Sequence, residues 1–380
     1  MLCRRNVISA WDGLNSFSPF FLKGTDPNFL ESYFNSSRLS FIGSYKQRIA
    51  PQMMSSPTKS RISSANLRRF VFHVDMDCFF ASVVLRNFPE HRDKPVVISH
   101  HGQRNQSDGM DAEVKTSSIS KSSTSECATC NYRAREYGIK KGMFLGRAMQ
   151  LCPDLVILCY DFEGYEEVAE QVLEILWRIA SEYHGAVEAV SCDEAYVELN
   201  FEDGDVSSEQ RAGELAEVIR KEVFETTQCT ASIGVATNKF LAKLGTDRVK
   251  PDASFVVKDH RELLDGLRLR DLPGIGYRSE PKLEAEGLTE VRDIWDLGHQ
   301  GEGTLRRILG PGLGRKIYNF CQGEDDRQVK PAERKTIGAE VGLKTFGSNI
   351  LLYPCRSLTR CPYKSAITAL GLMVLMELIT

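Results

Sequence analysis

A chain of 380 residues with 42% apolar and 26% charged side chains reads as soluble and globular, long enough for two or three domains with real cores. Its 11 cysteines lack framework spacing and follow no secretory leader, which predicts reduced thiols of a cytosolic or nuclear protein rather than a disulfide scaffold. A net charge of −3 is no mark of a nucleic-acid binder, yet residues 1–72 hold ten Lys/Arg against three acids, a basic arm able to lie on phosphate or simply be solvated.

Residues 1–66 read as irregular. From Phe70 to Asp77 the alternation predicts a half-buried strand ending in acids, and Lys94 to Ile98 a second short strand. Residues 99–125, rich in Ser, Gly, Asp and Lys, lack the apolar residues to fold and read as an inserted mobile loop. Tyr160 to Tyr183 has helical spacing at Val168, Val172, Leu173, Leu176 and Ile179. Ala186 to Leu199 reads as two strands joined at Ser191-Cys192-Asp193-Glu194, Glu209 to Phe224 as an amphipathic helix, and Cys229 to Ala236 as a strand. The mixture predicts an α+β layer, followed beyond Pro251 by a small helical domain with Gly-Pro turns. No internal repeat is visible. The apolar run from Ala366 to Thr380 is short against the roughly 20 residues a spanning helix needs, so no membrane is expected as a partner.

Asp75 closes one predicted strand and Asp193-Glu194 occupy the turn between two others, so three carboxylates can converge at one sheet edge. Hard cations take such oxygen ligands; Mg²⁺ is usually held by one or two protein carboxylates with waters and substrate phosphates. Two ions roughly 3.5–4 Å apart serve phosphoryl transfer, one beside the attacking hydroxyl and one beside the leaving group. Strand-end acids are also common as solvated turn residues. Asp77, two residues after Asp75, falls on the same face of an extended strand, and periodicity alone does not choose between them.

The stretch Val74-Asp75-Met76-Asp77-Cys78-Phe79-Phe80-Ala81-Ser82-Val83 resembles the first catalytic motif of Y-family DNA polymerases, and Ser191-Cys192-Asp193-Glu194-Ala195-Tyr196 the second. The resemblance implies two Mg²⁺ ions on Asp75, Asp193 and Glu194, with the Met76 carbonyl as a further ligand, and favours Asp75 over Asp77. It puts Phe80, beside Phe79, at an aromatic gate under the sugar, where a flat ring leaves no space for a 2′-hydroxyl. Read by themselves, both rings are ordinary core aromatics. Asn131 to Ile139 looks like the fingers motif whose Tyr132 and Arg135 contact the triphosphate, a task suited to the planar guanidinium fork. Ser232 to Lys243 with Lys250-Pro251 resembles the next motif and assigns Lys250 and Lys243 to the incoming triphosphate. Leu272-Pro273-Gly274-Ile275-Gly276 is similar to the thumb hairpin, where backbone at Gly274 and Gly276 approaches DNA phosphates.

Ser37 to Lys46 looks like the segment before the palm in the deoxycytidyl-transferase subclass, the Rev type. There Leu39 would take the space of the template guanine and Arg38 would present donors to the acceptor edge of cytosine. The resemblance covers about residues 25–341 and implies a right hand. Its parts are an N-terminal extension with the nucleotide-selecting segment (1–66), a palm (67–79 and 163–257), fingers (80–162, with the insert 99–125), a helical thumb (258–326), and a linker with an atypical tail (327–380). The family's second DNA-gripping domain, the little finger, has no counterpart pattern after Val341. The implied reaction is insertion of dCMP opposite guanine, abasic sites and damaged bases. The implied partners are primer-template DNA, dCTP and other replication or translesion polymerases, and the implied location is the nucleus. The alternatives are a truncated, weakly active or inactive isoform serving as a DNA-binding or interaction module, and another palm-type enzyme such as a nucleotide cyclase.

Overall fold

The structure is a computed structural model that describes residues 67–99, 113–114, 123, 125–202 and 207–330. All of these fall in one compact unit, residues 41–331. The expectations for Arg38, Leu39, the basic arm up to residue 66 and the apolar tail lie outside the described residues, whereas Arg68 and Arg69 at the arm's end are described and pair with Glu209 and Glu198.

In chain order, β1 (Leu67–Met76) leads to α1 (Phe79–Leu85), β2 (Val96–Ile98), β3 (Glu113–Val114), β4 (Thr129–Cys130), α2 (Tyr132–Glu136), α3 (Leu145–Leu151), β5 (Val156–Leu158) and α4 (Phe162–Glu182). Then come β6 (Ala186–Ala189), β7 (Glu194–Glu202), α5 (Ser208–Thr227), β8 (Ala231–Ala236), α6 (Lys239–Val249) and β9 (Ser254–Val256). Short helices follow: α7 (His260–Leu264), α8 (Glu280–Glu284), α9 (Val291–Asp296), α10 (Gly301–Leu309) and α11 (Pro311–Cys321).

Five strands form one sheet in the order β6-β7-β1-β8-β9, antiparallel except for β8 beside β9. On one face α4 and α5 bring Val168, Leu176, Ala216 and Ile219 into a common core with Phe70, Phe72 and Val74 of β1. On the other, Val71 shares a core with Phe240 and Leu241 of α6 and with helices α7 to α11. The half-buried strand expected at Phe70–Asp77 is therefore wrong in its burial: Phe70 to Val74 are all buried, because β1 is the middle strand of a sheet covered on both sides.

Gly234 of β8 sets the spacing to α6. A Cβ there would run into the Ala242 carbonyl oxygen and the Thr246 amide, so only glycine lets this helix lie directly on the strand. Asn238 caps α6 by accepting from the Leu241 amide at 3.0 Å. Asp325 accepts from the Phe240 amide at 3.1 Å, and Phe240 stacks on Phe320 at 4.4 Å, which ties the helical region to α6.

The second sheet, β3-β5-β2-β4, is backed by α2 and α3 around Val97, Ala134, Ile139, Leu145 and Ile157. One of its strands, Glu113–Val114, lies inside the segment expected to be an unfolded loop. It pairs antiparallel with Ile157 and Leu158 of β5; adding backbone to an open sheet edge requires no apolar side chains, which is why composition missed it. The parallel strand β9 after Pro251 was also absent from the helical reading. Among the described residues no helix is long and apolar enough to cross a membrane.

Candidate active site

Antiparallel pairing of β1 with β7 sets Asp75 directly opposite Glu194. The turn before β7 is closed by the Val190 and Ser191 amides donating to the Glu194 carbonyl at 2.9 and 3.1 Å. The Met76 amide donates to the Asp193 carbonyl at 2.8 Å, so the turn carrying Asp193 is stitched to the end of β1. Asp193 Oδ1 accepts from the Ser191 hydroxyl at 2.6 Å. His73, Asp75 and Glu194 each bring one ligand atom within 4.8 Å of the other two; Asp193 is not one of the three. The Met76 side chain is buried, so only its backbone is available to the site.

Two lysines meet the acids. Lys250 Nζ lies 2.8 Å from Asp75 Oδ1 and Lys243 Nζ lies 2.8 Å from Glu194 Oε1. The carboxylates nevertheless respond in opposite directions. Burial raises the Asp75 carboxyl above its ordinary range; Lys250 opposes this and the charge of Asp193 adds to it. Glu194 is lowered to about 2, first by its hydrogen bond with His73, against burial, and with Lys243 adding its own hydrogen bond and charge. Burial alone would lower Lys243, but its contact with Glu194 outweighs this and holds the ammonium above its usual range.

His73 was not singled out from the sequence. It is fully buried, and burial lowers its pKa against the opposing hydrogen bond and charge of Glu194. Nε2 lies 2.8 Å from Glu194 Oε1 and Nδ1 2.9 Å from the Thr246 hydroxyl. A carboxylate only accepts, which puts a ring proton on Nε2; the Thr246 hydroxyl beside Nδ1 is also placed to donate to the His73 carbonyl at 2.9 Å. The Nε2 edge is therefore spent on orienting Glu194. Its spacing of two from Asp75 on one strand was the signal that could have revealed it.

Backbone geometry gives Asp75 and Asp77 different surroundings. Strand β1 stops at Met76 and Cys78 turns the chain at φ 38°, so strand periodicity does not extend to Asp77. Asp77 is 2% exposed. Its Oδ1 accepts from the Ser232 hydroxyl at 2.9 Å and from Tyr132 Oη at 3.3 Å, and its Oδ2 accepts from the Asp252 amide at 2.9 Å.

Tyr132 and Arg135 lie one turn apart on α2, the guanidinium 4.4 Å above the ring centroid. Burial, followed by the neighbouring Asp77 charge, pushes the Tyr132 phenol upward, so it stays a hydrogen-bond donor. The Phe79 side chain is buried in the sheet core, which leaves its backbone as the part of that residue able to meet a nucleotide. Phe80 is half-buried, its ring 4.6 Å from Tyr165 and 6.1 Å from Tyr160, with part of its surface open. In the glycine hairpin, buried Leu272 and Ile275 anchor a turn whose Gly274, at φ 112°, and Gly276 are exposed.

These residues fit a hard divalent cation. Carboxylate oxygens crowd one sheet edge, and two ammonium groups supply there the positive charge that a metal ion would otherwise bring.

Comparison with known proteins agrees with this geometry. Residues 74–247 match the impB/mucB/samB family, and residues 270–325 match the thumb domain of DNA polymerase iota. The chain is 35% identical to DNA repair protein Rev1 of Drosophila melanogaster over 83% of its own length and 36% of that protein. It is 36% identical to Rev1 of Arabidopsis thaliana, covering 83% and 27%. It is also 36% identical to DNA polymerase IV of Shewanella loihica over 72% of this chain and 68% of that one. A solved Y-family polymerase chimera of Dbh and Dpo4 superposes with a TM-score of 0.56 at 27% identity, covering 70% and 71% of the two chains. An insertion ternary complex of Dbh DNA polymerase gives 0.55 at 28%, covering 68% and 69%.

The chain belongs to the Y family of DNA polymerases, which are nucleotidyltransferases, and its α+β structure is their right-hand fold with palm, fingers and helical thumb. It spans about a third of the length of the Rev1 proteins it resembles, between 27% and 36%.

Proposed function

We propose that the chain acts in translesion synthesis as a deoxycytidyl transferase, adding dCMP to a primer end opposite template guanine, abasic sites and damaged bases. The observation that carries the reading is the register pair Asp75 and Glu194, with Asp193 next to it in the turn and a lysine on each member of the pair. The reaction is attack of the primer 3′-hydroxyl on the α-phosphate of dCTP, with pyrophosphate leaving. Two Mg²⁺ ions on Asp75, Asp193, Glu194 and the Met76 carbonyl supply the Lewis acidity that this transfer needs.

The chain's own groups do the rest. Arg135 donates to the triphosphate from the fingers, where Tyr132 contacts it too, and Lys250 and Lys243 meet it from the palm. Phe80 lies under the sugar. The backbone at Gly274 and Gly276 holds primer-template DNA by its phosphates, without reading sequence. Arg38 offers its guanidinium to O2 and N3 of cytosine while Leu39 occupies the place of the template base, so selection is made by protein. This reading assigns the work to the nucleus, alongside other replication or translesion polymerases.

The test is single-nucleotide insertion opposite guanine and opposite an abasic site with each dNTP in turn. The reading expects dCMP to be preferred at both, and Arg38→Ala to lose that preference before DNA binding. Preference surviving in Arg38→Ala would refute the selector, and a gel shift without any incorporation would favour a non-catalytic DNA-binding module.

A further inference from the structure

Asp77 is the buried acid for which the mechanism above has no use. Its neighbourhood is unusual in what it joins. One carboxylate oxygen accepts from Tyr132 on α2 and from Ser232 on β8, at 3.3 and 2.9 Å. The other accepts from the backbone amide of Asp252, two residues beyond Lys250, at 2.9 Å. Its own amide donates to the Thr230 carbonyl at 3.0 Å and its carbonyl accepts from the Ser82 hydroxyl at 2.6 Å, so the residue is pinned from all sides.

Neither group it holds is fixed by its own local structure. Asp252 sits at φ 52°, a left-handed conformation unfavourable for a residue with a Cβ, and persists there with its amide on Asp77 and its side chain on Arg220 at 2.6 Å. Tyr132 lies on a helix of only five residues, and its ring carries the Arg135 guanidinium at 4.4 Å. A helix this short is not stable alone, so its side chains keep their direction through tertiary contacts. Asp77 supplies one of these between the two layers that face the nucleotide.

We propose that Asp77 is a positioning residue for the incoming nucleotide: its buried carboxylate fixes Tyr132, and with it Arg135, to the segment that carries Lys250. This rests on the reading of those three residues as triphosphate contacts. Asp77 itself touches no substrate. Its effect is to lower the ordering cost of nucleotide binding by keeping cations from fingers and palm in one arrangement.

The test uses the full chain with Asp77→Ala, Asp77→Asn, Tyr132→Phe and the double variant Asp77→Ala with Tyr132→Phe. In single-nucleotide insertion with Mg²⁺ and dCTP, Asp77→Ala is expected to raise KM on the order of tenfold, the scale of a lost charge-assisted hydrogen bond, with kcat changed much less. Tyr132→Phe should give part of that rise and the double variant less than the product of the two. Asp77→Asn should restore most of it, because a flipped amide accepts from Asp252 and donates to hydroxyls that can turn to accept. Amide hydrogen exchange of Asp77→Ala should quicken in the peptides containing Tyr132 and Asp252 together. If Asp77→Ala does not fold, as judged by thermal unfolding, Ser232→Ala and Tyr132→Phe each remove one hydroxyl from the same oxygen and must reproduce the KM effect. Unchanged KM in a folded variant, or independent effects in the double variant, overturns the proposal. Wild-type chain that incorporates no nucleotide at all overturns the polymerase reading instead.

Discussion

Asp75 and Glu194 face each other across a pair of antiparallel strands, and each is met at 2.8 Å by a lysine from α6 or its C-terminal cap. Two acids held this close repel, and the lysines offset that repulsion. The site is thus built for cations, with two of them covalently part of the chain.

Removing one lysine should expose that balance. Lys250→Ala leaves the half-buried Asp75 without its partner and is expected to lower stability by roughly 1–3 kcal/mol, the cost of an uncompensated buried polar group. Mg²⁺ should restore the melting temperature of this variant more than it raises that of the wild type. Thermal unfolding with and without Mg²⁺ checks both; equal metal effects would mean that Lys250 and the ion do not answer the same charge.

The two carboxyls should also separate on titration without metal. Asp75 is raised, so its native state takes up a proton earlier than the unfolded chain does, and acidification from neutral relieves the folded state there. Glu194 is lowered to about 2, so its stabilising contribution is fully present above the ordinary glutamate range and is lost progressively as pH falls from there through about 2. Carboxyl carbon shifts followed by NMR should show Asp75 titrating well before Glu194. The reverse order would contradict the assignment of His73 as donor to Glu194.

Gly234→Ala tests the platform rather than the charges. A methyl group at that point meets the backbone of α6, the helix that bears Lys243 and ends at Lys250. Stability is expected to fall by about 1–3 kcal/mol, the usual cost of overpacking, and nucleotide insertion should fall with it. Full activity with an unchanged melting temperature would show that α6 tolerates displacement from β8.

Much of this was legible in the chain. Helical spacing from Tyr160 to Tyr183 marked α4, with Val168, Val172, Leu173, Leu176 and Ile179 all buried. The stretch Ser191 to Glu194 was legible as the joint between two strands, and β6 and β7 flank it. What the sequence hid was relational. Burial of β1 on both faces depends on helices that arrive from either side of the sheet, and β3 exists only because β5 offers it an edge. His73 and Asp77 look alike from periodicity, each two residues from Asp75. Only the stop of the strand at Met76 makes one a partner of Glu194 and sends the other into the joint between α2 and the segment after α6.

The most direct measurement is Mg²⁺-dependent addition of a single dCMP to a primer by the wild-type chain and by Asp193→Ala with Glu194→Ala, both verified as folded. The expected result is incorporation by the wild type that disappears on chelating the metal and in the double variant. Incorporation that survives the loss of both carboxylates would contradict the site described above.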